Sequence, residues 1–479
     1  MGRTTRTWRG LVAAGMALAM AVPAVPALAQ SRSSPAQQQA ELVAQLGGPY
    51  EGPLQAYVAR VGERVAGAAG KPGQCRFTVL NSDVVNAFAA PPGCYVYVTR
   101  GLLAILNSED ELAAVLGHEV GHVAANHSGR RQQRSLFTGL GALAVGILTG
   151  SSDLARIAGQ VGQLNVLSYS RNQEFEADSL GLRYLGQTGY APDALADLLS
   201  ALQSEDQLEA RLRGAAEPKT TPVWGRTHPL TADRIARAVD LARRSGPPGA
   251  PEREAEFLAQ VDGMIYGDDP EQGFVDGRRF AHPGMAIAFE APPGFTLANT
   301  PRAVKVEGPA GSQLAAEFSS GRMTGDLETY ADDALRRLAG QTPVQADRPQ
   351  RTRINGVEAV VLPAVASTRS GVVEVTIAAY TLGGGQAFHF AALAPAGRSR
   401  GFDPLIDSFR RLTAEEARAL RPRRIEVVTV RPGETAQSLA QRMAFEDLRL
   451  ERFELINGLR RGDPLSPGRR VKLVTQSRR

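Results

Sequence analysis

The residues best able to do chemistry lie in one pentapeptide, His118-Glu119-Val120-Gly121-His122. On a helix, positions four apart stack on one face, so the two imidazoles project together. Two neutral imidazoles placed this way can share one Zn²⁺, and Glu119 beside them can take a proton from a water. The alternative is a buried helix that matches the pattern by chance. Against chance, the chain has only six histidines, and His118, His122 and His127 fall within ten residues of one another. His127 is a poor ligand candidate, because on a continuous helix it lies ~140° round from His122 at ~100° per residue. It reads as a helix-end residue or a support behind the ligands.

A catalytic zinc needs a third protein ligand and a position open to water. The metzincin arrangement would require Gly at 125 and His at 128, but Ala125 and Ser128 stand there. A better source is SRNQEFEAD at 170–178, where Glu174 and Asp178 are four apart. Glu174 can ligate, and Asp178 can accept a hydrogen bond from a liganding histidine and fix its tautomer. The alternative is an acidic helix start favoured by the dipole, and Glu176 is read in that way.

The elements that must position these groups follow from pattern. Ser108 with Glu111 is a capping-box start, and Gly129 is the expected stop of the metal helix. Leu112, Val115, Leu116, Val120 and Val123 recur at helical spacing as its buried stripe. Gly117 and Gly121 each cost that helix ~1 kcal/mol relative to alanine, a cost that makes sense if another element packs closely there. A second helix is expected from 174 to 188, stopped at Gly189. Helices over 36–46 and 53–70 are expected to wrap the first, followed by strands at 76–80, 84–89 and 95–99. Cys75 and Cys94 are the only cysteines; they begin the first and third strands, and a disulfide or two buried thiols are the options. Residues 86–90 are the candidate edge strand for holding an extended substrate by β-augmentation.

These motifs resemble the gluzincin peptidases that include HtpX, the CAAX prenyl endoprotease and the periplasmic BepA-type proteases. The resembling residues are NAFAAPPG at 86–93, GLL at 101–103, ELA at 111–113, VLGHEVGHV at 115–123, SR at 170–171, EFEAD at 174–178 and THP at 227–229. The resemblance implies His118, His122 and Glu174 as zinc ligands, Glu119 as general base and polypeptides as substrates. His228, in a loop marked by Gly225 and Pro229, then has two functional readings. It stabilises the oxyanion of the tetrahedral intermediate, or it takes the fourth zinc position as a self-inhibiting latch, as BepA-type relatives imply. The third reading is a turn histidine capping a helix that starts near Thr231.

The flanking sequence frames this domain. Residues 1–29 read as an export signal, with Arg3, Arg6 and Arg9, an apolar run and Ala27-Leu28-Ala29 before the expected cleavage. The expected location is periplasmic or secreted, which excludes nucleic acid as partner. The apolar stretch at 136–150 is shorter than the ~20 residues a bilayer span needs, so it is expected to pack over the site with at most peripheral membrane contact. The expected architecture is α+β. A mainly helical zincin-type peptidase domain with a small edge sheet covers 30–245, and a linker and connecting helix cover 246–279. An accessory α/β domain follows over 280–415. There HPGMAIAFEAPPGF at 282–295 and FDPLIDSFRRL at 402–412 resemble the Mog1/PsbP-like fold. Residues 425–475, with VVTVRPGETAQSLAQRM, LERFELINGL and DPLSPGRRVKLV, resemble a LysM module, a β-α-α-β unit that implies peptidoglycan as a partner. The leading functional expectation is an exported zinc metalloendopeptidase; the alternative is an envelope assembly factor or chaperone with latent proteolysis.

Overall fold

The computed structural model describes residues 34–128, 169–212, 228–229, 232–245, 251–301, 303–309, 311–340, 342–368 and 371–476. The expected export signal at 1–29, the apolar stretch at 136–150 and the start of the loop before His228 lie outside them. No helix among the described residues is long and apolar enough to cross a membrane.

The first part is helical around a three-stranded sheet. Helices α1 (Pro35–Gln45) and α2 (Pro53–Ala68) precede strands β1 (Cys75–Leu80), β2 (Ala87–Ala90) and β3 (Cys94–Thr99). Then come α3 (Arg100–Ile105), α4 (Glu109–Ala124), α5 (Arg171–Thr188), α6 (Ala194–Leu212), α7 (Ala232–Ser245) and α8 (Pro251–Val261). The sheet order is β1-β3-β2, with β1 parallel and β2 antiparallel to the central strand. Cys75 and Cys94 face one another in register and are joined by a disulfide. β2 is an edge of this sheet and packs beside α4.

α4 is more deeply set than the apolar stripe implies, for it is buried from Glu109 through His122. Its acidic first turn suits the positive end of the helix dipole, and each acid finds a donor. Glu109 accepts from the Tyr190 hydroxyl at 2.7 Å, Asp110 from the Ala191 amide at 2.7 Å and Arg253 at 2.8 Å, and Glu111 from the Asn107 amide at 2.9 Å. Ser108 caps the Glu111 amide as expected. The far end differs from expectation. The helix stops at Ala124, and Asn126, with φ of 52°, makes the left-handed turn assigned to Gly129 from sequence; asparagine is the residue after glycine that best tolerates this conformation.

Helix α5 crosses α4 at the glycines. A Cβ added at Gly121 would lie 3.1 Å from the Ala177 carbonyl oxygen, and one at Gly181 would lie 3.2 Å from the His118 amide nitrogen. This contact is what brings the acidic residues of α5 to the imidazoles of α4. Gly121→Val is therefore expected to destabilise the protein by about 1–3 kcal/mol through overpacking, measured as a lower denaturant midpoint. α5 itself starts three residues before Glu174, because Ser170 and Gln173 form the capping box. Gly189, at φ 70°, ends it.

α8 is not a free connector. Phe257, Leu258 and Val261 are buried in the first core, beside α2 and α4, since an amphipathic helix must cover its apolar stripe. After it, Ile265–Tyr266 joins the sheet of the C-terminal unit. Residues 274–411 are strand-rich. One sheet runs in the order Val344–Ala346, Val357–Thr368, Gly371–Thr381, Gln386–Pro395, Ala315–Arg322, Val304–Glu307 and Thr296–Asn299, with Gln350–Ile354 paired off Val357–Thr368. The helix Leu327–Ala339 covers one face of it, and an aromatic cluster around Phe289, Phe318 and Phe390 fills the other. Near the end of this region the helix Asp403–Asp407 is short, because Arg410–Arg411 pairs with Ile287–Glu290 as a strand. The last unit runs Arg423–Thr429, Ala436–Ala440, Arg449–Ile456 and Arg470–Gln476, a strand-helix-helix-strand order. It is docked on the first core by the buried Lys472, whose ammonium donates to the Ala104 carbonyl at 2.9 Å and to that of Leu106 at the end of α3.

Candidate metal centre

α4 supplies His118, Glu119 and His122, α5 supplies Glu174 and Asp178, and the segment before α7 supplies His228; all six are buried. The structure thus brings together every site residue expected from sequence. His118 Nε2 lies 3.0 Å from His122 Nε2 and 3.2 Å from His228 Nδ1. Glu174 Oε1 lies 3.4 Å from His122 Nε2 and 3.1 Å from His228 Nδ1, and its Oε2 lies 3.5 Å from His118 Nε2. These four side chains form the cluster able to hold a metal among the described residues.

The donor set fits zinc. Bonds of ~2.0–2.1 Å in a tetrahedron place neighbouring ligand atoms ~3.3 Å apart, close to the spacings here. Atoms that present lone pairs to a common point repel one another unless a cation lies between them. Charge agrees in sign: three buried carboxyls, Glu119, Glu174 and Asp178, face one buried guanidinium, Arg234, an acid-rich set that suits a divalent cation.

The candidate histidine ligands of α4 have different supports. The His118 Nδ1–H donates to Asp178 Oδ1 at 2.9 Å, which leaves Nε2 free to face the cluster. His122 is stacked under Tyr169, with ring centroids 3.8 Å apart and planes 18° from parallel. Its Nδ1 lies 2.8 Å from His127 Nδ1, and His127 Nε2 donates to Glu176 Oε2 at 3.0 Å. Glu176 is therefore more than the dipole-favoured acid read from sequence.

Arg234 on α7 was not singled out by sequence, since a lone arginine on a helix carries no metal signature. It is buried, and its guanidinium donates to both Asp178 oxygens at 2.8 Å and pairs with Glu174 Oε2 at 2.7 Å. Burial alone would raise the Asp178 and Glu174 carboxyls. The hydrogen bonds from His118 and Arg234 outweigh it for Asp178, and the attraction of His228 with the hydrogen bonds of His122 and His228 outweighs it for Glu174, so both are held below the usual carboxylate range. Arg234→Met would strand these carboxylates, and in chelator-treated protein it is expected to cost about 3–5 kcal/mol, the scale for breaking a buried pair, read from denaturant unfolding.

Glu119 differs from its neighbours. Burial pushes its carboxyl upward, and His228 and His118 only partly offset this. Its Oε1 is 3.4 Å from His228 Nε2, and the Ala89 amide of β2 is its backbone neighbour.

The chain matches peptidase family M48 over residues 53–242. It is 31% identical over 231 residues to the beta-barrel assembly-enhancing protease of Yersinia pestis, covering 46% of this chain and 46% of that protein. It is 32% identical over 192 residues to the mitochondrial metalloendopeptidase OMA1 of Schizosaccharomyces pombe, covering 39% and 52%. With the metalloprotease LoiP of Escherichia coli it shares 36% identity over 124 residues, covering 25% and 48%. The chain thus spans about half the length of these curated relatives. Among solved structures, cyanobacterial PsbP from Synechocystis sp. PCC 6803 aligns with 30% of this chain and 98% of its own at a TM-score of 0.24 and 12% identity. On the family match and the relatives together, residues 53–242 are a peptidase family M48 domain.

Proposed function

We propose that this chain is an exported zinc metalloendopeptidase that acts on unfolded or envelope polypeptides and is held latent by His228. The observation that carries the reading is the convergence of His118, His122 and Glu174 on one point, with Glu119 buried beside it. When bound there, zinc supplies Lewis acidity, lowering the pKa of a water to about 7 and polarising a carbonyl. Glu119 takes the proton of the attacking water and returns it to the leaving amine, and its burial keeps it a strong enough base to do so. Asp178 holds His118 in the productive tautomer, and Arg234 holds Asp178. An extended substrate pairs with the edge of β2 over 86–90, which sets the scissile bond beside Glu119.

Two features support the export reading: the signal-like residues 1–29 and the Cys75–Cys94 disulfide, which belongs to an oxidising compartment. A bacterial relative named as a beta-barrel assembly-enhancing protease supports a role linked to protein assembly. The second reading, an assembly factor with latent proteolysis, is favoured by the placing of His228 among the ligands. The proposed Mog1/PsbP-like unit then serves client binding. The test is zinc stoichiometry together with cleavage of an unfolded protein by parent and Glu119→Gln; a parent without zinc, or a variant as fast as the parent, defeats the proposal.

The C-terminal strand-helix-helix-strand unit is proposed to be a LysM-like peptidoglycan anchor. Exposed charge alone is screened within ~10 Å at 0.1 M salt, whereas a glycan groove is not. Sedimentation with purified peptidoglycan is expected to persist in high salt; release by salt alone reduces the unit to a basic surface.

A further inference from the structure

The two histidines of α4 are not supported alike. His118 leans on a carboxylate that Arg234 holds through both oxygens. His122 leans on another imidazole. The Asn126 turn breaks the helix after Ala124 and swings His127 back beneath His122, where a continuous helix would have carried it away. His127 is fully buried, and beyond it lies Glu176, whose side chain is 46% exposed.

One proton arrangement satisfies all three groups. With His122 Nε2 kept free as a ligand, its Nδ1 carries the proton and donates to His127 Nδ1 at 2.8 Å. His127 must then carry its own proton on Nε2, which donates to the Glu176 carboxylate at 3.0 Å. The reversed arrangement would put a proton on His122 Nε2, facing His118 Nε2 and Glu174, and would leave His127 Nε2 with a lone pair against a carboxylate. The carboxylate at the outer end therefore selects the tautomer at the inner end. Tyr169, stacked on the His122 ring, holds its plane while the hydrogen bond holds its rotation.

We propose that His127 and Glu176 are positioning residues that fix His122 as an Nε2 metal donor through this two-step relay of hydrogen bonds. The inference rests on the metal reading above. Partners of this kind set ligand orientation and typically change metal affinity ~10–100-fold when removed.

The test is zinc affinity of the full chain by competition with a chromophoric chelator, for the parent, His127→Ala, His127→Asn and Glu176→Ala. Loss of affinity of ~10–100-fold is expected for His127→Ala. His127→Asn should recover most of it, because its amide oxygen can accept the His122 Nδ1–H. Glu176→Ala, at a half-exposed position where folding is not at stake, should weaken binding several-fold. With Co²⁺ in place of zinc, His127→Ala should also shift the visible ligand-field bands, which a purely structural role leaves alone. A parent that binds no zinc overturns the metal reading and this inference with it. A parent that binds zinc while His127→Ala binds within twofold of it overturns the inference alone, as does a His127→Asn variant no better than His127→Ala.

Discussion

Glu119→Gln is expected to lower cleavage of an unfolded protein by roughly 10²–10⁴-fold, the contribution of a positioned general base, while zinc stays at one per chain. The substitution keeps shape and removes only the ability to take a proton. Zinc should stay because the converging donor atoms belong to His118, His122, Glu174 and His228, not to Glu119. Rate and metal content therefore separate the two jobs the site could assign to this carboxylate. Loss of zinc together with rate would make Glu119 a ligand, and a normal rate with zinc bound would send the proton elsewhere. No other acid in the site can replace it easily: Glu174 lies among the ligand atoms, and Asp178 is engaged by His118 and Arg234.

The candidate ligands were legible in sequence because each carries a local mark. The spacing of His118 and His122 places both on one turn, and Glu174 with Asp178 repeats that spacing on a second helix. Gly117 and Gly121 foretold that a partner must come close, and Ala177 and Gly181 of α5 are that partner. What sequence could not show depends on chain reversal or on distance. His127 was placed by helical arithmetic, which fails at the left-handed Asn126. Arg234 sits 56 residues from Asp178 and gains meaning only when α7 reaches α5. The same holds for α8 and Lys472. α8 lies in the segment expected to connect two domains and Lys472 in the LysM-like stretch, yet one fills the first core and the other closes the end of α3.

His228→Ala is expected to raise proteolysis. His228 Nδ1 lies 3.2 Å from His118 Nε2 and 3.1 Å from Glu174 Oε1, the place of a fourth ligand, while its Nε2 is 3.4 Å from the Glu119 carboxylate. One ring therefore occupies both positions an attacking water would need, beside the ligand atoms and beside the base. An oxyanion donor would instead aim an N–H away from the ligand lone pairs, at a carbonyl oxygen. If the closed arrangement holds nine-tenths of the molecules, the observed rate is ~10-fold below that of the open form, and removing the ring should recover that factor. The opposite role predicts the opposite sign, since losing an oxyanion donor costs ~10²–10³ in kcat. Steady-state cleavage at saturating zinc, parent against His228→Ala, reads the sign directly. A faster variant establishes the latch, a slower one assigns His228 to the oxyanion, and an unchanged rate leaves it as the residue that closes the turn into α7.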